Sequence, residues 1–325
     1  MKLSLMVPTY NSAATIERTL GAVIAQAYRP LEVVVYDEAS SDATRQIVDR
    51  VLAGAPGDVE TRLLTAEENS GPVRAWRVPL HAITGRWCTF VWADDVLDER
   101  FSDTMMAGAQ RAAAAGRAIV ACSGQVETAD GDRLPYYATD AGLATAVEYS
   151  EGIFLRRFPL TQVCAAYEVG AAREVFDRHI DIRNPRGYDY ARQPYGNDVG
   201  YLSELAMHGE GVELLGERLV TLVDSAASMT RRGTRDHKWQ MRWQYTYNQY
   251  RVWTWWARGG VPGAERVCAM AGRRLALCSL MLGGDRARVS PDAYVRALLA
   301  YRDFRRLDYQ VRGVSLEEHR RLVRS

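Results

Sequence analysis

Cysteine is scarce in this chain of 325 residues, and its few occurrences are scattered. The five cysteines never form a C-x-x-C pair. An odd, widely spaced set argues against a disulfide framework and against a structural zinc site. We therefore expect reduced, buried thiols.

Long apolar stretches are also absent. No run of about 18 uncharged apolar residues occurs, so we expect no helix that spans a bilayer. The chain passes from Met1-Lys2 directly into a short strand-like segment, residues 3–7, without the charged start and long apolar middle of a signal peptide. These absences predict a cytoplasmic protein.

Lysine is nearly absent, and the net charge of the whole chain is close to zero. Lys2 and Lys238 are the two lysines, and 41 basic residues against 40 acidic ones give a net charge of +1. Residues 231–325 nevertheless carry 20 basic and 8 acidic side chains, a local charge of +12, which leaves −11 on residues 1–230. A basic C-terminal region predicts an anionic partner, either an anionic membrane surface at which the protein is peripheral or a phosphate-bearing acceptor.

Three common ligand-binding signatures do not occur either. The sequence has no G-x-G-x-x-G after a strand and no G-x-x-x-x-G-K-[ST], so dinucleotide-binding and P-loop interpretations lack their phosphate cradle. It also has no G-x-S-x-G elbow. A nucleotidyltransferase on a related sheet stays an alternative, although residues 8–11 lack the glycine and the basic residue of its usual opening loop.

What the sequence does have, in its first 120 residues, is an alternation of strand and helix signals. The pattern predicts strands over 3–7, 31–36, 61–65, 87–92 and 119–126, with helices between the first four of them. Such alternation predicts an α/β fold with a mostly parallel, doubly wound sheet. Ligands bind such sheets at the carboxyl ends of the strands, so residues 8–11, 37–42 and 94–95 are the first candidates for a site.

Carboxylates follow two of these predicted strands. Asp94 and Asp95 have the chemistry to hold a hard divalent cation that bridges a diphosphate, although paired carboxylates are more often solvated turn residues. Asp37 can accept a hydrogen bond from the ring N–H of a nucleobase, or it can cap the next helix. Taken singly, each position leaves both interpretations open.

Five motifs in order, between residues 7 and 209, resemble those of the family 2 inverting glycosyltransferases with the GT-A fold. Together they are far more specific than any one of them, and the last hundred residues fall outside the resemblance. The motifs are Val7-Pro8-Thr9-Tyr10-Asn11; Tyr36-Asp37-Glu38-Ala39-Ser40-Ser41-Asp42; Asn69-Ser70-Gly71 with Arg77, Ala82 and Gly85; Ala93-Asp94-Asp95; and Asn197-Asp198 with Leu205 and Gly209.

The resemblance implies a nucleotide-diphosphate sugar as donor, with a UDP-sugar favoured, and Mn²⁺ or Mg²⁺ as cofactor. Asp95 would ligate the metal, and Asp198 would be the general base that takes the proton of an acceptor hydroxyl. For Asp198 the alternative is a carboxylate that stabilises a helix N-terminus. The remaining residues that the family implies for the donor are Pro8, Tyr10, Asn11, Asp37, Arg77 and Asp94.

The chain departs from the family pattern at several positions. Trp92 stands where an acidic residue is usual, two residues before the Asp pair, and Asn197 replaces the first member of the second acidic pair. Ser225 stands where the family often has a histidine that contacts the metal or the diphosphate. Arg231 and Arg232 are candidates to contact the diphosphate in its place, or they form an exposed basic loop.

The C-terminal region combines aromatic and basic residues at helical spacing. A helix would place Trp239, Trp243, Tyr247, Tyr250 and Trp253 on one stripe. We expect this stripe to pack against the catalytic part, with contact with an interfacial membrane as the alternative. Single-stranded nucleic acid also binds aromatic and basic surfaces, but nothing else in the chain supports it, and we expect no nucleic-acid partner.

The sequence thus predicts a metal-dependent inverting glycosyltransferase that acts on a glycan, lipid-linked or small-molecule acceptor. Residues 1–230 would form the GT-A catalytic domain, and residues 231–325 a helical, basic, Trp-rich extension. The acceptor pocket is expected from residues 148–167 and 188–198. A nucleotide- or glycan-binding protein of the same fold without turnover is the alternative that the departures at Trp92 and Ser225 leave open.

Overall fold

The computed structural model describes residues 1–136, 140–155, 157–179, 186–188, 195–224 and 235–282. The predicted boundary between residues 230 and 231 lies outside these ranges and stays a prediction, as does helix beyond residue 282.

The N-terminal part alternates strands and helices as the sequence predicts. Strands β1 and β2 have all seven of their residues buried, which is why their sequences are continuous apolar runs rather than alternating ones. They pair in parallel with each other and with their outer neighbours. The elements are β1 (Leu3–Thr9), α1 (Ile16–Ile24), β2 (Leu31–Asp37), α2 (Thr44–Ala53), β3 (Val59–Thr65), α3 (Pro72–Ala82), β4 (Trp87–Phe90) and β5 (Val96–Leu97).

The remaining elements complete one mixed sheet with helices on both sides. They are α4 (Phe101–Ala114), β6 (Ile119–Glu127), β7 (Arg133–Tyr136), β8 (Gly142–Ala144), α5 (Ala146–Phe154), β9 (Ala165–Glu168), α6 (Val169–His179), α7 (Asn197–His208), β10 (Val212–Val223), α8 (Arg235–Arg258) and α9 (Ala264–Met281). The main strand order in the described residues is β3-β2-β1-β4-β9-β6-β10-β5.

The predicted α/β class is confirmed, and the direction of the strands divides the sheet. The order β3-β2-β1-β4 is parallel throughout, as predicted for the first four strands. Strand β9 is antiparallel to both β4 and β6, and β10 is parallel to β6. The sheet as a whole is therefore mixed, because short antiparallel strands join and flank the two parallel groups.

The helices α4 and α5 and the short strands β5, β7, β8 and β9 were not among the elements that the sequence predicts. Helix α4 buries Phe101, Met105 and Ala109 on one face, but its run of alanines gives only a weak apolar period. Helix α5 starts inside the segment 131–151, where the sequence pattern is loose, and it begins with a capping box between Thr145 and Glu148. Strand β9 has four residues, too few to show a period of its own.

Helices α8 and α9 pack against each other, and α8 also lies against α7 and α5. The aromatic stripe divides between two clusters, so the predicted packing against the catalytic part is confirmed for Trp253 but not for Trp239 and Trp243. Trp239 and Trp243 join Leu277 and Met281 of α9, and Trp253 belongs to the main core. No helix within the described ranges combines the length and the apolar character needed to cross a bilayer.

Trp253 connects three helices through one hydrogen-bonded group. Its indole N–H donates to the Ser150 hydroxyl of α5 at 2.7 Å, and that hydroxyl lies 2.7 Å from the hydroxyl of Ser203 on α7. The Trp253 ring also packs edge-on against Phe154, with 5.0 Å between the two ring centroids. Trp253 is fully buried, whereas Trp255, two residues later, is 57% exposed.

This contrast predicts a large effect of the same substitution at one position and almost none at the other. Trp253→Ala should lower the free energy of unfolding by about 3–5 kcal/mol, because it leaves a cavity and removes the donor to Ser150. Trp255→Ala is the matched control and should change it by about 0.5 kcal/mol or less. Denaturant unfolding measures both. Equal losses would contradict the packing of α8 on the core.

Candidate active site

A cavity of about 630 Å³ opens at the carboxyl ends of β1 and β4. Five residues predicted from the sequence line it, namely Pro8, Tyr10, Asp94, Asp95 and Asp198. Its position at the ends of parallel strands is the usual ligand site of such sheets. The predicted site residues from three distant parts of the chain therefore meet in one place.

The positions of the strands and turns that carry these residues explain why the residues lie close together. Pro8 is the sixth residue of β1, and Tyr10 comes directly after that strand. The Val91 N–H donates to the Met6 carbonyl at 2.8 Å, which extends the contact between β1 and the chain that leaves β4. A turn then brings Asp94 and Asp95 to the same edge, closed by the Asp95 N–H donating to the Trp92 carbonyl at 3.0 Å.

Asp94 and Asp95 lie in surroundings that oppose their ionisation. Burial raises the pKa of the Asp95 carboxyl well above its usual range, and the neighbouring Asp94 charge raises it further, while the Val223 N–H acts in the opposite direction. Burial also raises the pKa of Asp94. Two partly desolvated carboxylates side by side are stabilised in their charged form when a cation lies between them.

Asp198 stands in the first turn of α7. Burial raises the pKa of its carboxyl to about 7, although the Val199 N–H, which donates to Oδ1 at 3.0 Å, favours the charged form. A carboxylate with a pKa near the working pH is suited to accept a proton and to release it again.

The start of α7 is held by close contact with α8. Gly196 has a φ of +81°, and a Cβ placed there would lie 2.6 Å from the Tyr245 Cα, so this position requires glycine. The buried Asn197 accepts a hydrogen bond at 3.4 Å from Asn248 of α8. Asn197 therefore has a packing role at the position where the family has an acidic residue.

Asn11 and Asp37, two more predicted residues, do not line the cavity. Asn11 adopts a φ of +49°, receives the Ser41 N–H on its Oδ1 at 2.8 Å, and donates its own N–H to Ser40 at 2.8 Å. Asp37 is 2% exposed and accepts from the Ser40 hydroxyl. These contacts tie the loop after β1 to the loop after β2, behind Tyr10.

Arg77 is not brought together with the predicted site. Its Nε donates to Asp177 of α6 at 2.9 Å, and it lies on a separate surface with Arg74 and His81. That ion pair explains its position, since α3 and α6 pack side by side. Arg231 and Arg232 lie outside the described residues, as does Ser225.

Several cavity residues were not identified from the sequence. Trp92 occupies the place of the expected acidic residue, stacks on Phe90 at 5.7 Å, and donates its indole N–H to Thr161 at 3.0 Å. An aromatic residue that lines a cavity cannot be distinguished in the sequence from one that packs in the core. The other aromatic residues of the lining that the sequence did not identify are Trp76, Tyr136 and Tyr245, whereas Tyr195, like Leu160 and Thr161, belongs to the ranges expected to form the acceptor pocket.

Glu38 is a further residue that sequence reasoning did not single out. It lines the cavity, is buried, and accepts hydrogen bonds from the Ser70 N–H at 2.9 Å and the Ser70 hydroxyl at 2.7 Å. Burial raises the pKa of its carboxyl. Its contacts fix the loop that leads into α3. The sequence feature that could have identified Glu38 is its position next to Asp37.

The charges of the cavity are of one sign. Its described lining includes five acidic residues and no basic one, the acidic residues being Glu38, Asp94, Asp95, Asp198 and Asp224. No group of three potential ligands close enough to hold a metal ion occurs among the described residues. Asp94 and Asp95 nevertheless fit Mg²⁺ or Mn²⁺, because Mg²⁺ in nucleotide sites is held by one or two carboxylates together with phosphate oxygens and water.

Sequence comparison identifies relatives of the chain. The profile of Glycosyl transferase family 2 matches residues 4–178, more than half of the chain. The succinoglycan biosynthesis protein ExoO of Rhizobium meliloti (strain 1021) is 31% identical to the chain over 207 residues. The match covers 64% of this chain and 56% of that relative, so it spans little more than half of the relative's length.

Solved structures share the fold over nearly the whole chain. TarS 1–349 of S. aureus, in complex with UDP-GlcNAc, has a TM-score of 0.59 at 18% identity and covers 96% of this chain and 83% of that one. The mannosyltransferase PcManGT from Pyrobaculum calidifontis, in complex with GDP-Man and Mn²⁺, has a TM-score of 0.53 at 20% identity and covers 96% and 84%. With the profile match, these likenesses confirm that the chain belongs to glycosyl transferase family 2 and has the GT-A fold.

Proposed function

We propose that the chain transfers a sugar from a nucleotide-diphosphate donor, with a UDP-sugar favoured, to the hydroxyl group of a glycan, lipid-linked or small-molecule acceptor. The observation that carries the proposal is the cavity of about 630 Å³ in which Asp94, Asp95 and Asp198 meet beside Pro8 and Tyr10. Family membership supports the reaction class, and the residues that line the cavity support the proposed assignment of roles.

The donor would lie along the end of β1. Pro8 and Tyr10 line that end, and the exposed ring of Tyr10 offers a surface for a nucleobase. Asp37 and Asn11 would support this part of the site through the bonded loops. UDP-GlcNAc in the TarS complex and GDP-Man in the PcManGT complex are donors of the proposed class.

A divalent cation fits the electrostatics of this donor. A diphosphate that enters a cavity with five acidic residues and no described basic one meets repulsion, and Mn²⁺ or Mg²⁺ held by Asp95 with Asp94 would offset the two negative charges of these carboxylates. When bound, such a cation neutralises the diphosphate leaving group. Arg231 and Arg232 are proposed to contact the same diphosphate.

Asp198 would act on the acceptor. Its carboxylate would take the proton of the acceptor hydroxyl as that oxygen forms a bond to the anomeric carbon, while the bond from this carbon to the diphosphate oxygen breaks. Attack from the face opposite the leaving group inverts the anomeric centre in one displacement. The proton stays on Asp198, and the electron pair leaves with the nucleoside diphosphate.

Removal of the base should separate chemistry from binding. Asp198→Asn should reduce kcat by roughly 10²–10⁴-fold, because general base catalysis is worth about that much, while the Kd for UDP stays within about twofold. A coupled assay for released UDP and calorimetry measure the two quantities. The exposed Asp49→Asn is the control and should behave like the unmodified chain. Retained transfer in Asp198→Asn would refute the assignment.

The pKa of Asp198 also predicts how activity and stability depend on pH. The base must be ionised, so kcat/KM should rise with pH through about 7 and level off above it. Because the folded pKa lies above the unfolded value, the contribution of this carboxyl to stability is full below about pH 4 and decreases as pH rises towards 7. Asp198→Asn should therefore be more stable than the unmodified chain at pH 8, as measured by thermal unfolding. A less stable variant at pH 8 would contradict the buried environment of the carboxyl.

Metal dependence gives an independent test of the donor site. UDP should bind at least about tenfold more tightly with Mn²⁺ than with EDTA, and Asp95→Asn should remove this difference because the first ligand is lost. Calorimetry measures it, with the exposed Asp103→Asn as control. Equal UDP binding in EDTA and in Mn²⁺ would refute the metal site.

A further inference from the structure

Trp92 lines the main cavity at the position where the family usually has an acidic residue. It is partly buried and packs on the core with part of its side chain, while the rest of its surface is open to the cavity. An indole at this place contributes apolar contact surface and no charge. The exchange therefore removes one potential ligand and supplies a flat surface in its stead.

A cluster of aromatic side chains holds the indole ring. It stacks on Phe90, with 5.7 Å between the ring centroids and 10° between the ring planes, and Trp76 lies against it at 5.0 Å. Phe90 is fully buried and packs in turn on Tyr167 and Phe176. A ring that is supported in this way is preorganised, because it cannot turn without disturbing the core beneath it.

Hydrogen bonds on either side fix the orientation of the ring. The indole N–H donates to the Thr161 hydroxyl at 3.0 Å, and the Asp95 N–H donates to the Trp92 carbonyl at 3.0 Å. Thr161 and its neighbour Leu160 line the same cavity. Trp92 is thus tied both to the turn that carries the proposed metal ligand and to the segment that precedes β9.

The place of Trp92 in the sheet sets it apart from the proposed nucleotide end. Pro8 and Tyr10 lie at the end of β1, whereas Trp92 follows β4 and bonds to the segment before β9. The strand order puts β4 between β1 and β9, so the contact with Thr161 lies on the side away from β1. Asp198, the proposed base, lines the same cavity, so a molecule packed on Trp92 shares that space with it.

The groups around the indole match the two kinds of surface that a sugar ring has. A pyranose presents a face of C–H groups and an edge of hydroxyl groups. The aromatic surface of Trp92 attracts polarised C–H groups, and the carboxylates and hydroxyl groups of the lining can pair with hydroxyl groups. A phosphate would gain nothing from the indole, and an alkyl chain would leave the polar groups of the lining unpaired.

From this arrangement we propose that Trp92 is the platform on which the sugar unit of the acceptor packs, with the reacting hydroxyl of that unit at Asp198. The inference rests on the proposed function and deepens it, because it makes the acceptor a pyranose unit of a glycan or glycoside rather than a molecule without a sugar ring. Trp92 then selects the acceptor by shape, and the nucleotide binds without its help.

The unmodified full chain, labelled with fluorotryptophan, allows a direct test by fluorine NMR. Trp92→Phe and Trp255→Phe assign the two resonances, each by the signal that it removes. The methyl pyranosides of glucose, galactose and mannose are titrated at millimolar concentration in the presence of UDP and Mn²⁺, with sorbitol as the control that has hydroxyl groups and no ring. We expect at least one pyranoside to shift the Trp92 resonance and to leave that of the exposed Trp255 unchanged, and sorbitol to shift neither.

Removal of the ring gives a second, quantitative test. Trp92→Leu should weaken the binding of the same pyranoside about tenfold or more, because the contact surface is lost, whereas Trp92→Phe should stay within about threefold of the unmodified chain. Trp255→Leu makes the matched change at an exposed position of α8 and should bind like the unmodified chain. The Kd for UDP with Mn²⁺, measured by calorimetry, should be the same in all of these proteins.

A Trp92 resonance that responds to no pyranoside would overturn the platform, and so would equal pyranoside affinities in Trp92→Leu and Trp255→Leu. If Trp92→Leu instead keeps the pyranoside and loses affinity for a UDP-sugar relative to UDP, the ring serves the donor sugar and the proposal is wrong. If Trp92→Leu does not fold, the fluorine shifts of the unmodified chain decide. Absence of UDP binding in the unmodified chain, with ring-dependent pyranoside binding retained, would contradict the proposed function and leave the platform in place.

Discussion

The close packing of α8 against the first turn of α7 is the contact on which the proposed active site depends. Gly196 lets the Tyr245 backbone approach to a distance that no side chain permits, and the amide of Asn248 holds Asn197. The next residue is Asp198, so the burial that raises its pKa to about 7 follows from this contact. Tyr245 also lines the cavity. One helix crossing therefore positions Asp198, the proposed base, and shapes the space beside it.

This arrangement gives a physical meaning to the charge asymmetry of the sequence. The −11 of residues 1–230 includes five acidic side chains that line the main cavity. The basic region contributes Lys238, Arg242 and Arg274 to a smaller cavity between α5, α7, α8 and α9. Side chains of opposite formal charge therefore line two cavities that share Tyr245.

The features that could be predicted from the sequence are those with a local signal in it. The buried apolar runs of β1 and β2, and the acidic pair after β4, are each contiguous in the sequence. They therefore predict the parallel strands and the sheet edge at which Asp94 and Asp95 lie. Arg77 shows the limit, because its partner Asp177 is 100 residues away and no local pattern reveals that pair. Helix α5 is a different case, since the Thr145-x-x-Glu148 capping box was a usable signal. The cavity aromatic residues meet only after folding.

Trp92 and Asn197, the two positions at which the family has an acidic residue, have a common explanation in the electrostatics of the site. Both are neutral, and both are fixed by packing and hydrogen bonds, Trp92 to Thr161 and Asn197 to Asn248. Further carboxylates at these places would add negative charge beside groups whose pKa burial already raises. Like charges that are close together in a desolvated site oppose each other's ionisation. With fewer carboxylates, a single divalent cation in the proposed metal site would suffice to keep Asp94 and Asp95 ionised, and the proton affinity of Asp198 depends on its burial rather than on neighbouring charges.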